Sequence, residues 1–260
     1  MTEADIGWGG LGISLVLVAV ALAISQRQRL GLGPSIVWSS ARAMAQLVAV
    51  GYALKLVVDP DSPVALAWVW VVAMIGFAAI TIRQRAPEVP SILGLALAAM
   101  GASAAVSLAV IFGLDVFPVE GRTVVPLAGM MIGNSMSSTV VAARRIVGEL
   151  SDKRSEVEAR LALGQPWPQA ARPYVRTALR TALIPQIEST KAVGLVFLPG
   201  AMTGLILAGV DPLAAVKVQA AIMYLILGSV ATTVSVIGLG LTRRLFTPDH
   251  RLVRLVREAA

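Results

Sequence analysis

Residues 92–114 read ILGLALAAMGASAAVSLAVIFGL, an unbroken run without one charged side chain. A bilayer core about 30 Å thick needs roughly 20 mostly apolar residues per spanning helix, and this run supplies them. Its Gly and Ala content suits backbones that approach closely, as packed membrane helices do. Working outward, comparable stretches lie at about 9–25, 35–57, 65–82, 123–142, 192–210 and 213–241. The pattern predicts an all-α fold, a polytopic membrane helix bundle of about seven transmembrane helices, with 1–260 as a single transmembrane domain. Of the 260 residues 57% are hydrophobic and only 14% charged, which excludes an ordinary soluble enzyme. The absence of Cys excludes disulfides and thiolate chemistry.

The net charge of +7 is distributed by topology. Basic residues cluster at Arg27 and Arg29, at Arg83 and Arg85, through 144–191 and again from Arg243 onward, while the alternate loops carry Asp59, Asp61, Asp115, Glu120 and Asp211. With the basic loops in the cytoplasm, all 22 Lys and Arg are inside except Lys55, Arg122 and Lys217 outside and Arg42 within a span. The N-terminus, with Glu3 and Asp5, is then outside and the C-terminus cytoplasmic, in a bacterial plasma membrane. Charge so distributed points to no nucleic acid. The first apolar stretch lacks a preceding basic region and reads as a retained helix instead of a cleaved signal.

No phosphate loop, dinucleotide fingerprint, zinc-protease motif or nucleophile elbow occurs, and the single His250 reads as a solvated tail residue. No carboxylate sits near the centre of an apolar stretch and no internal repeat is visible, so an ion-coupled carrier has no support.

The longest polar segment, about 143–190, has the pattern of a docking element. Ser155 and Glu158 read as a capping box, and Gly164 is placed to end the short helix that follows. After Gln165-Pro166-Trp167-Pro168 a second helix aligns Arg172, Arg176 and Arg180 on one face and Val175, Leu179 and Leu183 on another, with Pro185 bending or ending it. Such helices could lie on the membrane with arginines on lipid phosphates, or fit a groove on a cytoplasmic partner.

Glu158-Ala159-Arg160-Leu161-Ala162-Leu163-Gly164 resembles the coupling motif of ABC transporter permeases, with Arg160 departing from its third position. Trp38-Ser39-Ser40-Ala41-Arg42-Ala43, Pro126-Leu127-Ala128-Gly129-Met130 with Gly133-Asn134, and above all Leu198-Pro199-Gly200-Ala201-Met202-Thr203-Gly204 resemble the FetB-type permeases. These are bacterial ABC transporter subunits assigned to iron export, similar to membrane subunits of plant aluminium-tolerance transporters. The resemblance covers about residues 10–245. It implies a permease domain with a separate ATPase subunit that uses ATP and Mg, no cofactor bound by this chain, a permease homodimer, and Glu158, Ala159, Leu161, Gly164 and the three arginines at the coupling surface.

Within the membrane, Gly129 and Gly133 form one G-x-x-x-G and Gly200 and Gly204 another. Pro199-Gly200, midway along the stretch at 192–210, loosens that helix and places it on a translocation path. Asn134, Ser135, Ser137, Ser138 and Thr139 are expected to face inward. Met130, Met131, Met136 and Met202 are available to a soft metal but are equally gap fillers, so no metal ligand set is assigned. Glu188 and Lys191, at i and i+3, stand at the cytoplasmic mouth and can pair or attract a cation; Arg42 with Gln46 is expected to face the bundle. Met130, Asn134, Ser135, Glu188, Lys191, Pro199, Gly200, Met202, Thr203 and Gly204 are therefore the candidate path or gate residues for a metal-ion or small-molecule cargo. The alternative is an ATP-independent channel, carrier or scaffold whose basic segment binds lipid.

Overall fold

A computed structural model of the chain describes residues 8–253 except Pro60 and His250. The tail reading of His250 lies outside these residues. Nine helices follow one another among the described residues: α1 (Trp8–Arg27), α2 (Gly33–Val57), α3 (Val64–Arg85), α4 (Ile92–Gly113), α5 (Gly121–Asp152), α6 (Arg154–Ala162), α7 (Trp167–Ala192), α8 (Gly200–Leu207) and α9 (Pro212–Leu245). Four of them, α3, α4, α5 and α9, are long and apolar enough to cross a bilayer.

The core is built around α5 and α9, which pack on each other, with α3, α4 and α7 arranged about the pair. At 32 and 34 residues these helices run to about 48 and 51 Å, well beyond the hydrocarbon thickness. Their shared interior carries hydroxyls as well as aliphatic groups. Ser229 Oγ donates to the Ile226 carbonyl at 2.8 Å, Ser135 Oγ lies 3.2 Å from Ser229 Oγ, and Ser103 on α4 donates to the Ser229 carbonyl at 2.9 Å. Thr139 and Thr233 each donate to the carbonyl four residues earlier. Every hydroxyl in this band is satisfied, which a site without water requires.

The two ends of the bundle differ in charge. Arg144 of α5 pairs with Glu88 between α3 and α4, Arg244 of α9 donates to the Ser91 carbonyl at 2.6 Å, and Arg154 donates to the carbonyls of Leu252 and Val253. Loops expected from their charge to share one side thus meet in space. At the other end the Val57 carbonyl lies against Gly121, the first residue of α5.

Several expectations are corrected. The stretch at 192–210 is not a continuous helix: α7 ends at Ala192, Gly194 takes a left-handed conformation at φ +86°, and Pro199 stands at the N-terminal boundary of the eight-residue α8. Proline has no amide to donate, so the chain restarts its helix there instead of bending through it. Gly209, at φ +86°, then closes α8 with the paired bonds Gly209 N to Ile206 O and Val210 N to Leu205 O, so α8 and α9 are separate elements. Of the seven expected stretches, four correspond to helices that meet the spanning requirement by length and composition among the described residues. Both α1 and α2 form over about the expected ranges, α2 carrying Ser39, Ser40, Arg42 and Gln46 among its apolar residues. Arg42 and Gln46 do not face the bundle; both are exposed on the chain. Pro185 does not end α7, which continues past it on the packing of Ala178, Ala182 and Gln186.

A methyl group at Gly121 would collide with the Val57 backbone carbonyl, which no side-chain rotation relieves. Gly121→Ala is expected to destabilise the protein by about 1–3 kcal/mol, the range for overpacking a tight contact. Thermal unfolding in detergent should show a lower Tm, whereas Gly101→Ala, where the added methyl meets open space, should leave it nearly unchanged.

Candidate coupling surface and membrane path

The segment after α5 folds into a bracket. Lys153 separates α5 from α6, and α6 ends in a Schellman turn: Gly164 N donates to Leu161 O at 2.9 Å and Gln165 N to Arg160 O at 3.1 Å. Gly164 holds φ +85°, a conformation a Cβ would oppose by about 1–2 kcal/mol, so glycine is required here. The expected capping box is absent. Ser155 makes no capping bond, and Glu158 instead accepts from Arg154 one turn earlier at 2.7 Å.

Three anchors fix the bracket. Val157 is fully buried. Tyr174 Oη donates to Glu156 Oε2 at 3.0 Å, joining α7 to α6, while Arg160 lies over the Tyr174 ring. Arg154 donates to the carbonyls of Leu252 at 3.0 Å and Val253 at 3.2 Å, in a turn beyond α9 where Trp167 stacks on Phe246 at 5.6 Å. Nothing in the periodicity of the sequence marks Arg154 as this junction.

The Lys153 ammonium, followed by the Tyr174 hydroxyl, holds the Glu156 carboxyl below its usual value, and Glu156 in turn raises Lys153. A lowered carboxyl pKa favours the fold above the ordinary value of 4.5 and loses that contribution as pH falls through the folded value; the raised Lys153 loses its contribution only above 10.5. The pair therefore holds across the neutral range.

With α6 anchored, its outer surface is defined. Leu161 packs against the core, and Leu163 is 83% exposed beside the exposed Glu158, Ala159 and Gly164. Sequence reasoning singled out Leu161, whereas the turn at Gly164 presents Leu163. Arg172, Arg176 and Arg180 lie elsewhere, along a groove between α7 and α9.

The candidate path residues divide. Ser135 is buried in the hydroxyl band and Met130 packs against the core, but Asn134 and Ser137 are exposed, so the polar stretch of α5 does not face wholly inward. Residues 134 and 137 fall on the opposite side of the helix from 135 and 139. Asn134 Nδ2 donates to the Met130 carbonyl at 2.7 Å. A methyl at Gly129 would touch Met74, while Gly133, Gly200 and Gly204 face open space. Thr203 donates to the Pro199 carbonyl, and the Met202 amide reaches Gln219 Oε1 at 3.3 Å, a buried side chain that meets one of the free donors of α8. Glu188 and Lys191 pair at 2.9 Å near the end of α7 opposite Trp167, away from the basic end where the mouth is expected. Met131 is buried, and Met136 packs against the core. No group of three His, Cys, Asp or Glu side chains converges among the described residues.

Apolar helices of spanning length whose internal hydroxyls are all satisfied, closed by a basic end, define an integral membrane protein. The chain belongs to the family described as Uncharacterised protein family UPF0014, whose pattern matches residues 8–246. It is 40% identical over 202 residues to UPF0014 membrane protein STAR2 of Oryza sativa subsp. japonica, covering 77% of this chain and 69% of that protein. It is 36% identical to Protein ALUMINUM SENSITIVE 3 of Arabidopsis thaliana, covering 77% and 72%, and 34% identical to the "Probable iron export permease protein FetB" of Escherichia coli K12, covering 84% of each. No solved structure matches.

Tyr174→Phe removes the second cause of the Glu156 shift and leaves the first. In carbon-13 NMR of Glu-labelled protein the Glu156 carboxyl should titrate higher than in the unmodified chain, yet still below 4.5.

Proposed function

We propose that this chain is the membrane-spanning permease subunit of an ATP-driven transporter that exports iron or a related metal, with hydrolysis of ATP and Mg use confined to a separate ATPase. The observation that carries the reading is the rigid knob at the end of α6: an exposed Leu163 beside Glu158 and Ala159, closed by Gly164 and tied to α5, α7 and the turn beyond α9. A short helix so braced transmits force, because its anchors leave it little independent motion. Its sequence resembles an ABC coupling motif, and it lies at the basic end, the side expected to face the cytoplasm.

The path runs along the uncovered face of α5, where Asn134, Ser137 and Gly133 are open, and past the irregular backbone at 193–199. Non-helical backbone at membrane depth is tolerated where it lines water or is buried in protein. Hydroxyl, amide and backbone carbonyl oxygens of this kind suit a hard cation better than a thioether does. A second copy of the chain covers that face and the exposed apolar sides of α1 and α2, making the permease a homodimer. The iron cargo is drawn from the printed name of the Escherichia coli relative.

The test is a mild-detergent pull-down of the tagged chain, followed by flux and ATPase assays in vesicles with the recovered complex. A soluble ATPase is expected in near-equal amount. Leu163→Asp should reduce its recovery at least tenfold, and Gly164→Val should leave membrane insertion intact while uncoupling hydrolysis from metal flux. Recovery of the chain alone, with flux that needs no ATP, would overturn the reading in favour of an ATP-independent channel or carrier.

A further inference from the structure

Between α7 and α9 lies an open groove of about 700 Å³ with the partly buried Val175, Leu179 and Leu183 at its floor, lined also by the exposed Leu239 and by Arg172, Arg176, Arg180 and Arg243. We propose that this groove is a binding site for one anionic phospholipid, its acyl chain along the floor and its phosphate held between Arg176 and Arg180.

Depth is the first argument. Arg83, which follows the apolar run of α3, lines one cavity together with Arg244, so the two mark the same level at the basic end. Leu179 packs directly against Gly238. Gly238 precedes Arg244 by six positions, which at 1.5 Å per residue sets Leu179 about 9 Å to the membrane side of that level. Arg176 and Arg180 flank Leu179 and so belong to the headgroup region and the hydrocarbon below it.

Charge is the second. Arg122, Arg144 and Arg154 each pair with a carboxylate, and Arg244 donates to a carbonyl. Among the described residues Arg172, Arg176, Arg180 and Arg243 have neither an ion pair nor a side-chain hydrogen bond, as is also true of Arg83 and Arg145, but these four gather on one groove. An arginine at membrane depth is costly unless it is paired. A phosphodiester offers the planar two-oxygen partner that a guanidinium fits, and anionic lipid is the anion already present at that depth.

The floor decides between sources of phosphate. A free ion would use the arginines and leave the leucines bare, whereas a lipid uses both. A soluble protein meets the knob of α6 but cannot descend beside Leu179 and Leu239. The groove is thus complementary to an amphiphile in shape, charge and depth, independently of whether the chain couples to an ATPase.

The test uses the purified full chain, stripped of lipid in detergent, with native mass spectrometry during titration of dioleoyl-phosphatidylglycerol or dioleoyl-phosphatidylcholine. One phosphatidylglycerol is expected to be retained at a concentration at least tenfold lower than phosphatidylcholine, with inorganic phosphate a poor competitor. Arg176→Gln with Arg180→Gln should abolish the preference, Arg176→Lys with Arg180→Lys should restore part of it, and Arg251→Gln, outside the groove, should leave it unchanged. Equal retention of the two lipids by the unmodified chain, a reading that needs no variant, would overturn the proposal. So would displacement by inorganic phosphate at equal concentration, which marks a simple anion site. Loss of a co-purifying soluble protein in the Gln variant, with lipid preference intact, would assign these arginines to that protein instead.

Discussion

The seam between α5 and α9 is the constraint on which the remainder rests. Two long helices meet there across hydroxyls that have no water to fall back on, so each oxygen must find its partner inside the bundle. Ser229 is bonded from two other helices, by Ser103 through its carbonyl and Ser135 through its hydroxyl. Apolar contacts alone would discriminate weakly between registers, because lipid tails are as apolar as Leu. A paired hydroxyl satisfies one register and leaves polar atoms orphaned in the others.

That register fixes the basic end. Once α9 is set against α5, Arg244 comes to Ser91 and Arg144 to Glu88, and Leu179 of α7 closes on Gly238. With α7 in position, Tyr174 reaches Glu156 and α6 can stand where it does. The knob proposed to meet an ATPase and the groove proposed to take a lipid thus share one foundation, and α7 carries one on each side of itself. Motion at α6 would reach the membrane through α7, whose far end leads directly into the irregular stretch at 193–199.

Much of this architecture was legible from composition and spacing. The runs at 65–82 and 92–114 became α3 and α4 nearly residue for residue, since nothing inside them competes with a helix. The run at 123–142 extended to Asp152 because Ile146 and Leu150 continue the buried face beyond the last continuous apolar stretch, which a hydrophobicity count does not register. The stretch at 192–210 misled for the opposite reason: Leu195, Val196, Phe197 and Leu198 are as apolar as any span, yet Gly194 and Pro199 interrupt the hydrogen-bond ladder that a helix needs. At the site, Gly164 could be read from its place after a short helix. Leu163 and Arg154 could not, since one depends on the phase of the closing turn and the other on residues nearly a hundred positions away. Asn134 is exposed on the single chain, so its inward reading concerns a face that one chain leaves open.

The bond from Arg154 to the carbonyls of Leu252 and Val253 also bears on the order in which the molecule is made. During synthesis α6 leaves the ribosome long before those carbonyls exist, and until they arrive the bracket lacks one of its anchors. The surface proposed to meet a soluble partner is thereby completed only after α9 and the turn beyond it have been made. A half-inserted molecule would leave α6 without that anchor, so the docking proposed for it would wait on the bundle's own completion.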